Sequence, residues 1–289
     1  ELYIEVGLYF GGDLLCKEQR TKKKLNPFWF ETLVFDKNIS ELPKETRILV
    51  TLWCSYRMGI LEMEKTMQIA WVTYMLCDFR GFLRSGQHKI FLWPGEKSRV
   101  VGTCDMDRFS QIVLRCEFES YDKPVGFLKF RIKPSESKVA TPSQDDIERL
   151  KHIASIDPLT PVTVADTRLA WKNRKYCLKH VPNILPKLMR GVSWGNHQAV
   201  AEAHRILSLW PILPPAISLE LFDCKYADSA VRSFAVKCLE PLSDEQISLY
   251  MLQLTQVLNY EPWHYSELAA FLITRAIKSP IVVGHTLFW

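Results

Sequence analysis

Hydrophobic and polar residues alternate along the first part of the chain. In residues 109–119, Ile112, Leu114, Cys116 and Phe118 fall on one side of an extended backbone, and the charged residues Arg115, Glu117 and Glu119 fall on the other. A period of two is typical of a half-buried antiparallel strand. Similar apolar runs predict further strands in residues 1–10, 31–36, 46–53, 67–76 and 88–93.

Turn residues separate these predicted strands. The pairs Gly11-Gly12, Asn26-Pro27 and Pro94-Gly95 each stand between two apolar runs. Several short strands with regular turn signals indicate two packed antiparallel sheets. We therefore predict an antiparallel β-sandwich over residues 1–132, with a first strand that is cut short.

A polar segment with two prolines, residues 133–144, follows and is predicted to be a linker. From residue 145 the period becomes helical: Ile147, Leu150 and Ile153 share one face of a helix. Helical runs then alternate with breaks up to residue 289. This pattern predicts an all-α solenoid of HEAT-like repeats over 145–289, cut at its C-terminus. The fold class is thus multidomain, with a β-sandwich followed by helices.

Charge excludes one class of protein. The chain has 289 residues, with 37 basic and 32 acidic side chains and a net charge of +5. This excess is too small for a dedicated nucleic-acid binder. It suits a protein with one local basic patch that faces an acidic surface. We therefore expect no nucleic-acid partner.

The cysteines and histidines suggest no metal or disulfide framework. The 8 cysteines are scattered without a CxxC pair, and the 7 histidines form no HExxH motif. We expect reduced thiols, no metal site and a cytoplasmic protein. No apolar run has the length of a membrane-spanning helix, and no signal peptide is visible. Both ends of the sequence look cut, so we expect a piece of a larger protein.

Short sequence motifs in the first part carry a family resemblance. The stretch "NPFWFE", residues 26–31, resembles the N-P-x-W-N-E motif of C2 domains, with Phe30 where that family usually has Asn. "LYFGGDLLC" precedes it, and "IAWVTYMLCDFRGFLRSGQHKIFLWP" follows it. Taken together, these motifs resemble those of the C2 domain of phosphatidylinositol 3-kinases.

The helical part resembles the helical (PIK) domain of the same family. "DPLTPVTVADTRLAWKNRKYC", "LPKLMRGVSW" and "GHTLFW" follow in the family's order. The chain is identified as a fragment of a catalytic subunit, and class I is most similar in domain order and spacing. The second interpretation is a non-catalytic adaptor, with a lipid-binding C2 module and helical repeats that dock proteins.

The resemblance implies what the parent protein does. Such an enzyme transfers the γ-phosphate of ATP, with Mg²⁺, to the inositol 3-hydroxyl of a membrane phosphoinositide. Its own kinase domain would follow Trp289. The phosphate-covering loop, lysine, catalytic base and metal-binding acid of a kinase are not found in this sequence. We therefore expect this fragment to be inactive alone and to hold no cofactor.

A basic run lies before the NPFWFE motif. In a C2 sandwich, Trp29 and Phe35 are predicted to be core. The neighbouring basic residues have three interpretations: a solvated charged loop, a nucleic-acid site, or a surface for anionic lipid. Of the two functional interpretations the lipid surface is favoured, with recruitment to membranes as a peripheral protein. The predicted membrane-facing residues are Lys17, Arg20, Lys22, Lys23 and Lys24.

The resemblance also implies a regulatory subunit with SH2 domains. In class IA relatives, acidic residues in the first loop of the helical domain pair with a basic SH2 surface. The aligned positions here are Pro161 and Val164, which are uncharged, so this contact is predicted to be poor. Asp157 and Asp166 remain as acidic candidates, although Asp157 also suits a helix N-cap. In the C2 domain, Met67 aligns with a position that faces the regulatory coiled coil.

Overall fold

The computed structural model describes residues 1–58, 63–97, 110–127 and 141–289. The chain forms two compact units, Glu1–Phe127 and Leu128–Trp289. The division falls at residue 127, whereas the sequence places the boundary at 132. Most of the predicted linker, residues 133–140, lies outside the described residues. The first helix begins at Gln144, one residue before the predicted start of the helical domain.

The first unit is built from antiparallel strands. In chain order these are β1 Leu2–Phe10, β2 Asp13–Leu14, β3 Gln19–Arg20, β4 Arg47–Met58, β5 Met63–Met75, β6 Gly86–Phe91, β7 Trp93–Pro94 and β8 Val113–Phe118. One sheet has the order β2-β1-β4-β5-β7, and β3 pairs with β1 beside β2. The second sheet pairs β6 with β8. The glycine pair Gly11-Gly12 joins β1 to β2 with φ values of 59° and 87°, as a two-residue hairpin requires.

Apolar side chains from both sheets form one core. Ile4 of β1, Val50 of β4 and Val72 of β5 pack in the same cluster as Ile90 of β6. The predicted inward residues of β8 are partly buried against this cluster. The β-sandwich fold is thus confirmed, and its strand periodicity identified the faces correctly.

One predicted strand is wrong. Residues 31–36 form no strand in the described structure, although their side chains alternate between more and less exposed positions. Phe35 packs against the core, as predicted. Periodicity reports which side chains face the core, and it carries no information on whether a neighbouring strand supplies hydrogen bonds. Within the described residues the segment therefore has strand-like side chains but forms no strand.

The second unit is helical. Its helices are α1 Gln144–Ser155, α2 Val164–Lys172, α3 Arg174–His180, α4 Leu185–Met189, α5 His197–Leu209, α6 Pro215–Ser218, α7 Ser229–Leu239, α8 Asp244–Leu249, α9 Met251–Gln256, α10 Glu267–Lys278 and α11 His285–Phe288. A π-helical turn, Pro280–Gly284, precedes α11. Ser243 caps α8 with a full capping box. None of the helices in the described ranges is long and apolar enough to cross a bilayer.

The helices pack against each other largely in chain order. Helix α2 packs on α4, α5 on α7, and α7 on α10, around one apolar cluster. At the end of α4, Gly191 lies so close to α2 that an added Cβ would come within 2.3 Å of the Thr167 carbonyl oxygen. Only a residue without a side chain fits this position.

A buried arginine joins several helical segments. Arg232 of α7 is 2% exposed, and its Nε donates to Glu261 Oε1 at 2.6 Å. Its Nη1 donates to the carbonyls of Phe222 and Tyr226, and its Nη2 to that of Val257. This arginine thus ties neighbouring helical segments together.

Candidate functional site

The predicted basic surface lies along one edge of the sandwich, on and around β3. Lys17 is exposed between β2 and β3, and Arg20 ends β3, which pairs with β1. Lys22 and Lys23 are exposed immediately after β3, and Lys24 is half-buried. The five basic residues thus follow one short stretch of backbone, as their sequence spacing suggests.

Two of these cations donate hydrogen bonds to carboxylates. Arg20 donates through Nε to Glu5, whose side chain is buried. Lys23 donates through Nζ to Glu64, which also accepts from the Ser55 hydroxyl. The hydrogen bonds from Lys23 and Ser55 lower the pKa of Glu64, so they favour its charged form. Both pairs reduce the positive charge that a ligand would meet.

Lys24 stabilises the conformation of the loop that follows it through hydrogen bonds. Its Nζ donates to the carbonyls of Phe28 at 3.2 Å and Trp29 at 2.8 Å, and lies 3.5 Å from Glu31 Oε1. Its backbone exchanges two hydrogen bonds with Leu2 of β1. Lys24 therefore closes the loop onto the sheet and holds its backbone in place.

Lys17 and Lys22 keep their charges exposed. Within the described part of the chain, neither side chain forms an ion pair, although the Lys22 backbone N–H donates to Glu31. These two lysines are therefore the ones whose ammonium groups are most accessible to an anionic partner.

The loop closed by Lys24 presents apolar side chains to solvent. We call residues 25–30 the tip. Leu25 is 86% exposed, Phe28 64% and Phe30 96%. The two phenylalanine rings stack with centroids 6.3 Å apart and planes 14° from parallel. Trp29, between them in sequence, points the other way and packs against the sandwich core, as predicted.

Phe30 has the one positive φ of any non-glycine residue in the described structure, 49°. Asn adopts this left-handed region more readily than an aromatic residue does. The sequence marked this position as a departure from the C2 pattern, which usually has Asn here. It did not reveal that the neighbouring aromatic side chains are exposed, because their spacing also fits core residues.

The candidate regulatory contacts lie apart from the tip in sequence and differ in accessibility. Met67 is half-exposed on β5, beside Cys54 of β4. Asp166 is buried in α2. Arg149 donates to its carboxylate through Nε to Oδ1 at 2.8 Å and through Nη2 to Oδ2 at 2.9 Å. The Arg149 hydrogen bonds hold the pKa of Asp166 below its usual range. Its carboxylate is thus engaged within the helical unit, and a partner contact there stays a prediction.

Asp157 is not a helix N-cap. Its Oδ1 accepts from the backbone N–H of Leu159 at 2.8 Å, which defines a turn between α1 and α2. The N-cap of α2 is Thr163, whose hydroxyl accepts from the N–H of Asp166. The alternative interpretation of Asp157 as a cap was therefore wrong, because the chain makes a turn before the helix begins.

The buried thiols are poorly reactive. Burial raises the pKa of Cys77 and of Cys177 to about 12, so both stay protonated and poorly nucleophilic at neutral pH. Over the residues that the structure describes, no group of three or more His, Cys, Asp or Glu side chains is arranged to hold a metal ion. The basic edge and the tip are thus the candidate binding surfaces of the first unit.

The chain thus combines an antiparallel β-sandwich that carries a basic edge with a unit of packed helices. Comparisons with known families make this specific. The phosphoinositide 3-kinase C2 family model matches residues 1–132, and the model of the phosphoinositide 3-kinase family accessory domain (PIK domain) matches residues 138–289. The chain belongs to the phosphoinositide 3-kinase family.

Curated relatives agree with this assignment. Phosphatidylinositol 3-kinase 3 of Dictyostelium discoideum is 34% identical over 100% of this chain and 17% of its own length. Phosphatidylinositol 3-kinase 1 of the same organism is 36% identical over 90% of this chain and 18% of its own length. The chain therefore spans less than a fifth of these relatives. Class I membership within the family stays a prediction.

Proposed function

We propose that this chain is the C2 and helical part of a lipid kinase that phosphorylates the inositol 3-hydroxyl of membrane phosphoinositides. Two family matches in the order C2 then helical domain support this proposal, together with relatives named as phosphatidylinositol 3-kinases. The parent enzyme would use ATP and Mg²⁺ in its own kinase domain. The adaptor interpretation is less favoured, because these relatives are kinases by name.

In this proposal the helical unit is the support for the kinase domain. Its core is continuous from α1 to the π-helical turn before α11, so it can act as a stiff spine. Ile273 and Ile277 are exposed one turn apart on α10, which gives an apolar strip for a neighbouring domain. A regulatory subunit would contact the C2 domain near Met67. The Asp166 carboxylate already pairs with Arg149, so we expect it to contribute little to an SH2 contact on the helical unit.

The C2 domain is proposed to dock the enzyme on the cytoplasmic face of anionic membranes as a peripheral protein. The observation that carries this proposal is the exposure of Lys22 next to the tip and of Lys17 further along the same edge of the sandwich. A cation near an anionic lipid surface contributes about 1 kcal/mol, and the contribution falls off within a Debye length. Arg20, Lys23 and Lys24 add to the local field less, since each faces a carboxylate.

Vesicle sedimentation tests this docking role. Replacement of Lys17 and Lys22 by Ala removes about 2 kcal/mol and should lower the affinity of the chain for vesicles with phosphatidylserine by about thirtyfold at low salt. A matched control replaces Lys151 and Lys179, two exposed lysines of the helical unit, by Ala. The control removes the same net charge from another surface and should bind nearly as well as the unsubstituted chain. Equal binding by all three proteins would contradict the docking role.

A further inference from the structure

We propose that the helical unit carries a docking surface for an acidic protein segment, one rich in Asp and Glu. We call Arg168 and Lys172 of α2, together with Arg190 at the end of α4, the basic face. The partner would place its carboxylates against these three cations. This inference is independent of the docking role proposed for the C2 domain, since it concerns another unit and another class of partner.

The first argument is the segregation of charge along the helical unit. Residues 167–201 contain seven Lys or Arg side chains and no Asp or Glu. Over the rest of the described helical unit, acidic residues outnumber basic ones by 14 to 8. Such segregation concentrates positive potential on one part of the surface. The seven cations are Arg168, Lys172, Arg174, Lys175, Lys179, Lys187 and Arg190.

The second argument is that the basic face keeps its charge. Arg174 pairs with Glu202 at 3.2 Å, and the buried Lys187 pairs with Glu220 at 2.8 Å, so these two cations are neutralised within the unit. The three residues of the basic face are exposed, and none of them forms an ion pair with any residue that the structure describes. Their positive charges are therefore accessible to a partner.

The fold brings the basic face together. Arg168 and Lys172 are exposed four residues apart, so they lie one above the other on α2. Gly191 lies against the same part of α2, since a Cβ added to it would come within 2.3 Å of the Thr167 carbonyl oxygen. Because Arg190 directly precedes this glycine, its backbone lies beside the row formed by the other two cations. Residues from two helices thus supply one surface.

Like charges in this arrangement oppose folding. Positive side chains four residues apart on a helix destabilise it, and a third cation nearby adds to the repulsion. Lys172 is partly compensated, because it lies in the last turn of α2, where the helix dipole favours a cation. Arg168 lies in the middle of the helix and gains less. A negatively charged partner would relieve a repulsion that the unit's own acids leave in place.

The surroundings of the basic face favour a protein segment over a lipid surface. Between Val164 and Leu209, a stretch that the structure describes throughout, no large apolar side chain is exposed. The face therefore offers no apolar anchor for a bilayer. Arginine matches the geometry of a carboxylate with two parallel hydrogen bonds, as Arg149 does with Asp166 in the same unit. An anionic membrane is the alternative outcome of the test below.

The test replaces Arg168, Lys172 and Arg190 by Gln in the 289-residue chain. Glutamine is a good helix former and removes the repulsion, so the melting temperature of the helical signal should stay unchanged or rise. A fluorescein-labelled peptide of alternating Glu and Gly is the probe for the partner. Its binding is measured by fluorescence anisotropy at low and high salt, and binding to phosphatidylserine vesicles is measured by sedimentation of the same proteins.

A matched control replaces Lys151, Lys237 and Lys278 by Gln. These are exposed lysines of α1, α7 and α10, and their replacement removes the same net charge from other surfaces. Carbodiimide coupling then locates the bound peptide on the unsubstituted chain, because it joins a lysine amine to a carboxylate that lies against it. We expect mass spectrometry to find the coupled peptide at Lys172 and little of it at Lys237.

We expect the triple variant to bind the peptide about tenfold more weakly than the unsubstituted chain at low salt, and the difference to shrink at high salt. The control should bind nearly as well as the unsubstituted chain. An equal loss in both variants, or no loss in either, would overturn the basic face as a site. If the triple variant keeps its peptide binding and loses affinity for the vesicles, the partner is a membrane and the protein assignment is wrong. No peptide binding by the unsubstituted chain would overturn the proposal as well.

Discussion

Replacement of Arg232 by Met should lower the free energy of unfolding of the helical unit by about 3–5 kcal/mol, as expected when one partner of a buried ion pair is removed. The Glu261 carboxylate would lose the guanidinium that contacts its Oε1 at 2.6 Å. The carbonyls of Phe222, Tyr226 and Val257 would lose the same donor inside the protein. Methionine fills similar space, so packing loss contributes little to the effect.

Urea unfolding followed by circular dichroism at helical wavelengths measures this change, because the helices lie in the second unit. The control is Arg168→Met, at an exposed position of α2. Surface substitutions of this kind usually change stability by less than about 0.5 kcal/mol. A midpoint for Arg232→Met equal to that of the control would show that the buried network does not stabilise the helical unit.

Replacement of Gly191 by Ala should destabilise the same unit by about 3 kcal/mol. The added Cβ would lie 2.3 Å from the Thr167 carbonyl oxygen and 3.2 Å from Trp171 Cβ. No rotamer change relieves a clash with backbone, so α2 and α4 would have to separate. Loss of contact between these helices would expose part of the apolar core.

The thermal midpoint of the helical signal reports this effect. Ser193→Ala is the control, because Ser193 is exposed two residues further along the same loop. A Gly191→Ala midpoint within one or two degrees of the control would contradict the close approach of the two helices. A larger residue, as in Gly191→Val, should lower the midpoint further than Ala does.

Local sequence patterns predicted the fold well where a structure depends on neighbouring residues. The alternation in residues 112–118 identified the inward face of β8, and the Gly11-Gly12 pair identified a tight hairpin. The pattern failed at residues 31–36, where inward and outward side chains alternate but no strand forms among the residues that the structure describes. Strand pairing depends on residues far away in the sequence, so it cannot be read from one segment.

The site was predicted less completely than the fold. The basic residues were found from their spacing, but the sequence did not show which of them are already paired. Glu64 reaches Lys23 from a distant strand, and Lys24 binds carbonyls of its own loop. The sequence did not predict that the rings of Phe28 and Phe30 are exposed, because aromatic residues next to a core tryptophan are usually interpreted as core residues. Only the backbone conformation separates inward Trp29 from its outward neighbours.

Phosphate transfer by the full-length protein that contains this chain tests the central claim most directly. The enzyme is incubated with ATP, Mg²⁺ and phosphatidylinositol in phosphatidylserine vesicles, and the position of the new phosphate is determined. We expect a product phosphorylated at the 3-hydroxyl, formed several-fold more slowly when Lys17 and Lys22 are replaced by Ala. A full-length protein that binds these vesicles and phosphorylates no inositol lipid would contradict the account and favour a non-catalytic adaptor.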